Sequence, residues 1–428
     1  MTTAGSAARR TAGLVVTLAV TAVVAAAPSA RADAASAAMA SAATASAATA
    51  SAAASRIVVA ATAASASAGA SCRKATGPFT VRGATVLGQG GHVFVSYGIT
   101  VPGLQNPDWQ QWFSLDLAKI AATAKDWCAN TVRLQLSQDN LLGPNGTSFD
   151  QAYMTAIEAE VTVAEDDHMV VVLNDNTEFA APDVRAVQKG PTPATETFWK
   201  DLTSLYGNDP QVIFDLFNEP RTYSAGMSQA QEWQLWRDGG EFQGVLYPFG
   251  MAALADYVRN TIGARNLFWV EGPNNSASFA GMVTEGAVLK VSRVVYALHH
   301  PAGPHNGSGW DADFGYLVTT GVAPVVDGEW TNYEPAPTTT PTAPRSSCWP
   351  DAPTTVPRFL RYLAARGIGL NVYQLQPGYM IKSYQMLAGP TTINAATWSC
   401  VSEQEPQPGQ GAGTLVMAWF KQRNGGLG

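Results

Sequence analysis

Eight short apolar runs, separated by stretches with helical spacing, constrain the fold of this chain more than any other feature. The strand-like runs lie at residues 92–99, 130–136, 169–174, 211–217, 266–272, 293–299, 323–329 and 368–376. Apolar residues recur at helical spacing in residues 114–127, 153–166, 249–262 and 413–422. Strands that alternate with helices favour a parallel sheet with crossover helices. Eight such units predict a (β/α)8 TIM barrel, and a doubly wound open sheet is the alternative.

The first residues of the chain resemble a leader that is removed on export. Arg9 and Arg10 precede an apolar run at residues 14–27, and a small-residue cleavage site follows at residues 30–32. A membrane anchor is the alternative, but the run is shorter than the ~20 residues that a spanning helix needs. We therefore predict a secretory signal peptide at residues 1–32, a secreted protein, and no membrane association after cleavage.

The composition then changes along the chain. Residues 33–70 are nearly all Ala, Ser and Thr, so they offer no large side chains to bury and are predicted to form a low-complexity spacer. Residues 71–428 contain all of the strand-like and helical runs, and they are long enough for a substantial core. We therefore expect one folded domain in this part of the chain.

The charge of the chain argues against nucleic acid as a partner. The sequence has 26 basic and 33 acidic residues, a formal net charge of −7, and no basic run after the leader. Binding to phosphate groups would need a clustered positive face. A function in nucleic-acid recognition is therefore not expected.

The four cysteines predict disulfide bonds, because the chain is expected to be exported. They are Cys72, Cys128, Cys348 and Cys400, and none sits in a close pair of the metal-binding kind. Three pairings are possible, and proximity in sequence favours Cys72 with Cys128 and Cys348 with Cys400. Buried free thiols are the alternative. The second bond would tether the Pro- and Thr-rich insert at residues 334–357 as a fixed wall.

Polar side chains lie at or near the carboxyl ends of several predicted strands. They are Arg133 in the second strand, Asn174, Asp175 and Asn176 in the third, Asn218 and Glu219 in the fourth, Glu271 in the fifth, His299 and His300 in the sixth, and Asp327 and Glu329 in the seventh. The carboxyl ends of the strands form the active face of a barrel, so Glu219 and Glu329 would face one another across its mouth. Such a pair suits glycoside hydrolysis, in which one carboxyl group donates a proton and one carboxylate attacks the sugar or activates water.

Three motifs then identify a known group of proteins. They are DLFNEP at residues 215–220, NLFWVEGP at residues 266–273 and APVVDGEW at residues 323–330. In this order and in strand context, they resemble the retaining glycoside hydrolases of family five, often called the cellulase family. The resemblance extends from about residue 93 to residue 420. It implies a TIM barrel that hydrolyses β-linked glycans, with no cofactor and no metal.

The resemblance also implies roles for individual residues. Glu219 would be the acid/base, and Glu329 would be the nucleophile. Asn218 would bind the sugar 2-hydroxyl, Arg133 would hold Glu329 ionised, and His299 matches the histidine of the sixth strand. Because one group donates a proton and the other attacks, we expect a raised pKa at Glu219 and a low pKa at Glu329.

Three positions depart from the family pattern around the reactive sugar. Asn176 takes the place of a third-strand histidine, and His300 and Pro301 occupy the region in which the family commonly has a tyrosine. Tyr373 stands where the eighth strand usually carries a tryptophan. These changes leave the reaction class standing but leave the substrate open.

Aromatic residues in loops are the expected platforms for sugars, because pyranose rings present apolar faces that stack on indole and phenol rings. The candidates are Trp109, Trp233, Trp236, Trp310, Trp330 and Tyr373, and packing in the core is the alternative for each. Trp199 and Trp269 are assigned to the core, and Asp215 to an outward or structural role. The histidine-rich stretch at residues 299–305 is not expected to bind a metal, since Pro and Gly interrupt it.

The sequence therefore predicts a secreted, monomeric, single-domain retaining glycosidase with a carbohydrate substrate. An endo-β-1,4-glucanase is the commonest activity in the family that it resembles. A β-mannanase, another β-glycanase or an exo-β-glycosidase is the alternative, because loops choose the substrate. A further alternative is a carbohydrate-binding protein that has lost its activity through the changes at Asn176, Pro301 and Tyr373.

Overall fold

The computed structural model describes residues 72–143, 146–177, 190–222, 226–299, 308–331, 333–335, 346–348, 352–375, 380 and 412–425. The strands are β1 (Thr80–Arg82), β2 (Thr85–Leu87), β3 (Tyr97–Val101), β4 (Thr131–Ser137), β5 (Val170–Thr177), β6 (Val212–Asp215), β7 (Gly240–Phe242), β8 (Val245–Tyr247), β9 (Leu267–Glu271), β10 (Val294–Leu298), β11 (Val325–Trp330), β12 (Tyr333–Pro335), β13 (Ser346–Cys348) and β14 (Gly369–Val372). The predicted leader, the spacer, His300, His305, Pro301 and Cys400 lie outside the described residues.

Eight of these strands close into one barrel, in the order β3, β4, β5, β6, β9, β10, β11, β14. All neighbouring pairs are parallel, and the pairing of Leu370 in β14 with Tyr97 in β3 closes the ring. Each strand falls within or beside one of the eight apolar runs. The predicted TIM barrel is therefore confirmed, and the doubly wound open sheet is wrong because the sheet has no free edge.

Helices surround the barrel and connect its strands. They are α1 (Phe113–Trp127), α2 (Gln138–Leu142), α3 (Gln151–Asp166), α4 (Pro193–Tyr206), α5 (Gln229–Asp238), α6 (Met251–Asp256), α7 (Ser308–Trp310), α8 (Tyr316–Thr319), α9 (Ala352–Arg366) and α10 (Ala412–Asn424). Local sequence fixes several of their starts. The side chain of Asp150 accepts the N–H groups of Ala152 and Tyr153 at the start of α3, and Ser228 forms a capping box with Gln231 at the start of α5.

The barrel strands bury both of their faces. Residues such as Val171, Phe214 and Phe268 pack against the helices. Their neighbours in the same strands form a second cluster inside the barrel, which includes Ile213, Trp269 and Val295 and packs against Phe79 and Val86 of the β1–β2 hairpin. Trp199 and Trp269 are both buried, so the assignment of these two residues to the core is confirmed.

Alternation along the strands decides which polar side chains enter the barrel. Ile213, Trp269 and Val295 face the interior, and side chains two residues apart in a strand share one face. Asp215 and Glu271 therefore lie one layer above the interior cluster. An outward role for Asp215 is wrong, since the residue is fully buried inside the barrel.

A disulfide bond joins Cys72 to Cys128, as the sequence predicted. Cys128 precedes β4, so the bond lies near the amino ends of the barrel strands rather than at the active face. The predicted partner bond between Cys348 and Cys400 involves a residue outside the described part of the chain. Among the described residues, no helix is long and apolar enough to cross a membrane.

Candidate active site

Arg133 of β4 lies at the centre of the site and binds three acidic side chains. It is fully buried, and its Nε donates to Oδ2 of Asp215 at 2.8 Å. Its Nη1 donates to Oε2 of Glu329 at 2.6 Å, and its Nη2 donates to Oε1 of Glu271 at 3.0 Å and to Oδ1 of Asn218 at 2.8 Å. A planar guanidinium holds its acceptors at fixed angles, so Arg133 sets the relative positions of side chains from several strands.

Glu329 of β11 is held through one of its two carboxylate oxygens. Oε2 accepts from Arg133 and also from Nε2 of Gln135 at 3.0 Å. The side chain is 16% exposed, so it is open to the barrel mouth. Asp327, two residues earlier, is fully buried. Glu329 is therefore the carboxylate of this strand that meets Arg133 and can also meet a substrate.

Glu219 follows β6 in a left-handed backbone conformation, with φ of 46°. Such a conformation is uncommon for a residue with a side chain and persists only where neighbours hold it. The N–H of Glu219 donates to Oε2 of Glu271 at 2.5 Å. Its carboxylate Oε1 lies 3.2 Å from Nδ1 of His299, and its Oε2 lies 3.9 Å from Nη2 of Arg221. The side chain is 27% exposed and faces the mouth.

His299 lies between acidic side chains on both sides of its ring. Its Nδ1 faces Glu219, and its Nε2 lies 3.0 Å from Oε1 of Glu271. Burial by itself lowers the pKa of His299, but Glu271 and Glu329 outweigh burial and raise this pKa well above its ordinary value. These acidic neighbours therefore favour the protonated, positively charged form of the ring.

The imidazolium acts in turn on Glu219. Burial raises the pKa of Glu219, but the hydrogen bond and charge of His299, together with Arg221 and Arg133, lower it overall. The expectation of a raised pKa at Glu219 is therefore wrong for the protein without substrate. The sequence placed His299 at the site but did not show that its ring would contact Glu219 directly.

A third carboxyl group, that of Asp215, has its pKa shifted in the opposite direction to that of Glu219. Burial and the charge of Glu271 raise the pKa of Asp215 to about 7, although Arg133 opposes this shift. Asp215 accepts a hydrogen bond from Arg133 below the mouth and is not exposed. It therefore orients Arg133 rather than meeting a substrate.

Glu219, His299 and Glu329 converge at the mouth. One nitrogen or oxygen of each lies within 4.8 Å of the others. Retaining glycosidases place their two carboxyl groups ~5–5.5 Å apart, whereas inverting sites leave ~6.5–9.5 Å for a water. The same three side chains could in principle surround a metal ion. We assign none, because the guanidinium of Arg133 already binds Oε2 of Glu329 and its positive charge would repel a cation.

The structure brings together five residues that the sequence singled out, namely Arg133, Asn218, Glu219, His299 and Glu329. Two further candidates, Asn176 near the end of β5 and Tyr373 directly after β14, are half-buried at the carboxyl ends of their strands. The backbone N–H of Tyr373 donates to the carbonyl of Trp330 at 2.7 Å. The functional roles of all seven residues stay predictions.

The prediction that five tryptophans serve as stacking platforms for sugars is wrong. Trp109, Trp233, Trp236, Trp310 and Trp330 are all buried, with at most 8% of each residue exposed. Trp330 stacks on Phe359 with ring centroids 5.9 Å apart. The indole Nε1 atoms of Trp233 and Trp236 donate to the carbonyls of Ala280 and Glu271. Periodic apolar spacing around these residues favours the core, and their ring faces are covered by protein.

Sequence reasoning missed the roles of Glu271, Gln135 and Arg221. Glu271 was visible as a carboxylate at the end of an apolar strand, and a fully buried carboxylate needs partners or a task. Gln135 lies two residues after Arg133 in β4, so strand alternation places both on one face. Arg221 follows the Asn-Glu-Pro motif directly, but nothing in the sequence showed that its side chain turns towards Glu219.

The sequence and the fold both match known proteins. The family model described as Cellulase (glycosyl hydrolase family 5) matches residues 91–377. The chain is 22% identical over 237 residues to Endoglucanase C of Evansella cellulosilytica, covering 52% of this chain and 26% of that protein. It is 27% identical over 143 residues to Cellulase CelDZ1 of Thermoanaerobacterium, covering 33% of this chain and 34% of that protein. The matches therefore span only about a quarter to a third of these relatives.

Solved structures share the fold. A β-glucanase from Saccharophagus degradans, in complex with cellotetraose, has a TM-score of 0.54 and 19% identity, with 82% of this chain and 94% of that chain covered. The catalytic domain of endoglucanase Cel5A from Thermobifida fusca, also in complex with cellotetraose, has a TM-score of 0.53 and 16% identity, with 81% and 97% covered.

Proposed function

The chain belongs to the cellulase family, glycosyl hydrolase family 5, and from that premise we propose that it is a secreted retaining glycosidase that cleaves β-linked glucans. The observation that carries the proposal is the convergence of Glu219 and Glu329, whose carboxylate oxygens come within 4.8 Å of each other at the barrel mouth. This spacing supports a double displacement rather than a direct attack by water.

In the first step, a carboxylate oxygen of Glu329 forms a bond to the anomeric carbon as the glycosidic bond breaks. Glu219 gives its proton to the leaving oxygen, and a covalent glycosyl-enzyme remains. Arg133 and Gln135 both donate to Oε2 of Glu329, so they orient this carboxyl group for attack. In the second step, Glu219 takes a proton from water, the water oxygen bonds to the anomeric carbon, and Glu329 is released.

Asn218 is placed to act on the same sugar. Its Oδ1 accepts from Arg133, so the orientation of the side-chain amide is fixed and its Nδ2 is the atom left to donate. We assign Nδ2 to the sugar 2-hydroxyl, where a hydrogen bond strengthens as positive charge develops at the anomeric carbon. Tyr373, half-buried at the end of β14, is the proposed platform for the ring of that sugar.

Glucans linked β-1,4 are the first substrates to test. The relatives are named endoglucanase and cellulase, and two structural neighbours hold cellotetraose. Mannans, xylans and mixed-linkage glucans are the other candidates, because loops around the mouth select the sugar. The predicted signal peptide supports a site of action outside the cell.

The decisive experiment measures sugar release from β-1,4-glucan, mixed-linkage glucan, mannan and xylan. Wild type is compared with Glu219→Gln, Glu329→Gln and Glu241→Gln, the last being a control at an exposed glutamate of β7. We expect one glycan to be cut, both site variants to lose activity by several orders of magnitude, and the control to match wild type. NMR of the first product should show the β-anomer. Binding of a glycan without release of any product would instead favour the carbohydrate-binding alternative.

A further inference from the structure

Glu271 is the one side chain in the described part of the site that contacts Arg133, His299 and the backbone of Glu219 together. Its Oε1 lies 3.0 Å from Nη2 of Arg133 and 3.0 Å from Nε2 of His299. Its Oε2 accepts the N–H of Glu219 at 2.5 Å. The side chain is fully buried, so these contacts are weakly screened by solvent.

We propose that Glu271 is a positioning residue, which fixes the backbone of Glu219 and the ring of His299 so that Glu219 can act as a strong acid. The proposal rests on the proposed function of Glu219, and it adds a role for a residue that need not touch the sugar. Two separate structural effects support it.

The first effect concerns the backbone. Glu219 has a φ of 46°, a region that L-residues avoid unless surrounding contacts hold them there. The hydrogen bond from its N–H to Glu271 is such a contact. The preceding N–H, that of Asn218, donates to the carbonyl of Asp175 at 2.8 Å. These two bonds anchor the turn that aims the Glu219 carboxyl group at the mouth.

The second effect concerns the ring of His299. The Glu271 carboxylate lies 3.0 Å from Nε2 and its charge favours a proton on that nitrogen, while Nδ1 faces Oε1 of Glu219 at 3.2 Å. When Glu219 gives its O–H proton to the leaving oxygen, a carboxylate forms where the carboxyl group was. An imidazolium that donates from Nδ1 stabilises this new charge. Glu271 therefore makes Glu219 a stronger acid through His299.

Several other charged groups also face Glu219 and His299. Arg133 of β4 and Arg221 after β6 add positive charge near Glu219, while Asp215 and Glu329 add negative charge near His299. Glu271 is distinguished from all of these by its contacts with both His299 and the Glu219 backbone. Removal of its charge should thus change acid catalysis more than it changes attack by Glu329.

The test compares Glu271→Gln with wild type on two substrates. A cello-oligosaccharide has a poor leaving group that needs the acid, whereas 2,4-dinitrophenyl β-cellobioside has a good leaving group that does not. We expect kcat/KM for the oligosaccharide to fall on the order of 100-fold, since small misplacements of catalytic groups have effects of this size. The ratio kcat/KM is compared because it reports the first step and excludes the later hydrolysis, in which Glu219 acts as a base. For the aryl glycoside, kcat/KM should fall much less.

The control is Glu160→Gln on α3, which removes another fully buried carboxyl group, one whose neighbours are Asp116 and Lys119 outside the site. Both variants are checked for folding by near-UV circular dichroism and by Tm. An equal fall in kcat/KM on both substrates would overturn the proposal, because Glu271 would then act through Arg133 and Glu329 or through stability alone. Wild-type kinetics in Glu271→Gln would overturn it as well.

A second measurement does not depend on any activity. NMR titration of His299 in 15N-histidine-labelled protein, assigned with His299→Gln, reports the charge of the ring directly. Loss of the Glu271 charge should lower the pKa of His299, because a carboxylate that favours the imidazolium is removed. An unchanged titration would overturn the proposal. Should wild type cut no glycan, the proposed function would fail, and this titration would still decide whether Glu271 controls His299.

Discussion

Nδ1 of His299 lies 3.2 Å from Oε1 of Glu219, so the proposed acid and a charged imidazole share one contact inside the barrel mouth. Each residue comes from a different strand end, and neither is near the other in sequence. The contact lowers the pKa of the glutamate at the same time as acidic neighbours raise that of the histidine. Four predictions concern this site and the fold that supports it.

His299→Gln should shift the pH dependence of kcat/KM. Without the imidazolium, burial becomes the dominant influence on Glu219, so its pKa rises. A carboxyl group with a higher pKa keeps its proton to a higher pH. The basic limb of the profile should therefore move to higher pH, while the maximum value of kcat/KM falls. His92→Gln, at an exposed histidine, serves as the control and should keep the wild-type profile. A basic limb that stays in place or moves downward would contradict the prediction.

Arg133→Met should destabilise the fold in a pH-dependent way. Its removal leaves Asp215, Glu271 and Glu329 without their shared cation, and breaking a buried ion pair costs about 3–5 kcal/mol. Arg133 opposes the rise in the pKa of Asp215 that burial and Glu271 cause, so without Arg133 this folded-state pKa rises further above its unfolded value and stability is lost as pH increases. Urea unfolding should show a smaller deficit at pH 5 than at pH 7.5.

The matched control for this prediction is Arg237→Met. Arg237 is 31% exposed and pairs with its neighbour Asp238 at the surface, where an ion pair contributes about 0–1 kcal/mol. Its deficit should be small and nearly independent of pH. A deficit in Arg133→Met that is the same at both pH values would mean that packing, rather than charge, explains the loss.

Asn218→Ala should lower kcat more than it raises KM. The proposed hydrogen bond to the 2-hydroxyl strengthens only in the transition state, so its loss is expected to lower kcat about 10- to 100-fold. The check uses an aryl cellobioside and its analogue that lacks the 2-hydroxyl on the reactive sugar. The variant and wild type should differ much less on the analogue. An equal loss on both substrates would indicate that Asn218 acts only by supporting Arg133.

Cys72→Ser with Cys128→Ser should lower the free energy of unfolding by about 4 kcal/mol, because the bond closes a loop between cysteines 56 residues apart. The bond precedes β4 at the amino ends of the strands, so kcat at 25 °C should not change. Denaturant unfolding without reductant measures the difference. Equal stability of wild type and the double variant would contradict the prediction. A loss of kcat in a double variant that is folded would contradict it as well.

Local sequence patterns were sufficient for the fold. Apolar runs of strand length, alternating with helical spacing, depend on neighbouring residues alone, and all eight runs became barrel strands. The location of the candidate active site followed from the same order of strands and helices, since the carboxyl ends of the parallel strands meet at one face of the barrel. Glu219, Glu329, Arg133 and Asn218 could be placed at one face for this reason.

The burial of individual tryptophan rings could not be predicted from local sequence patterns. Trp233 and Trp236 lie in a polar stretch between strands, a place where exposed rings are plausible. Their burial depends on Ala280 and on the carbonyl of Glu271, which are contributed by chain far away in sequence. The inward position of Asp215 likewise became evident only from the structure, in which Ile213, two residues earlier in β6, packs inside the barrel.

The sequence by itself thus determined the barrel, the strand ends that carry the site and the Cys72–Cys128 bond, because each depends on residue type and spacing along the chain. Only the tertiary structure decided that His299 lowers the pKa of Glu219, that acidic neighbours raise the pKa of His299, and that Glu271 lies between them. Electrostatic energies in a buried site depend on distances of a few ångströms between groups on different strands. Those distances exist only once the barrel has closed.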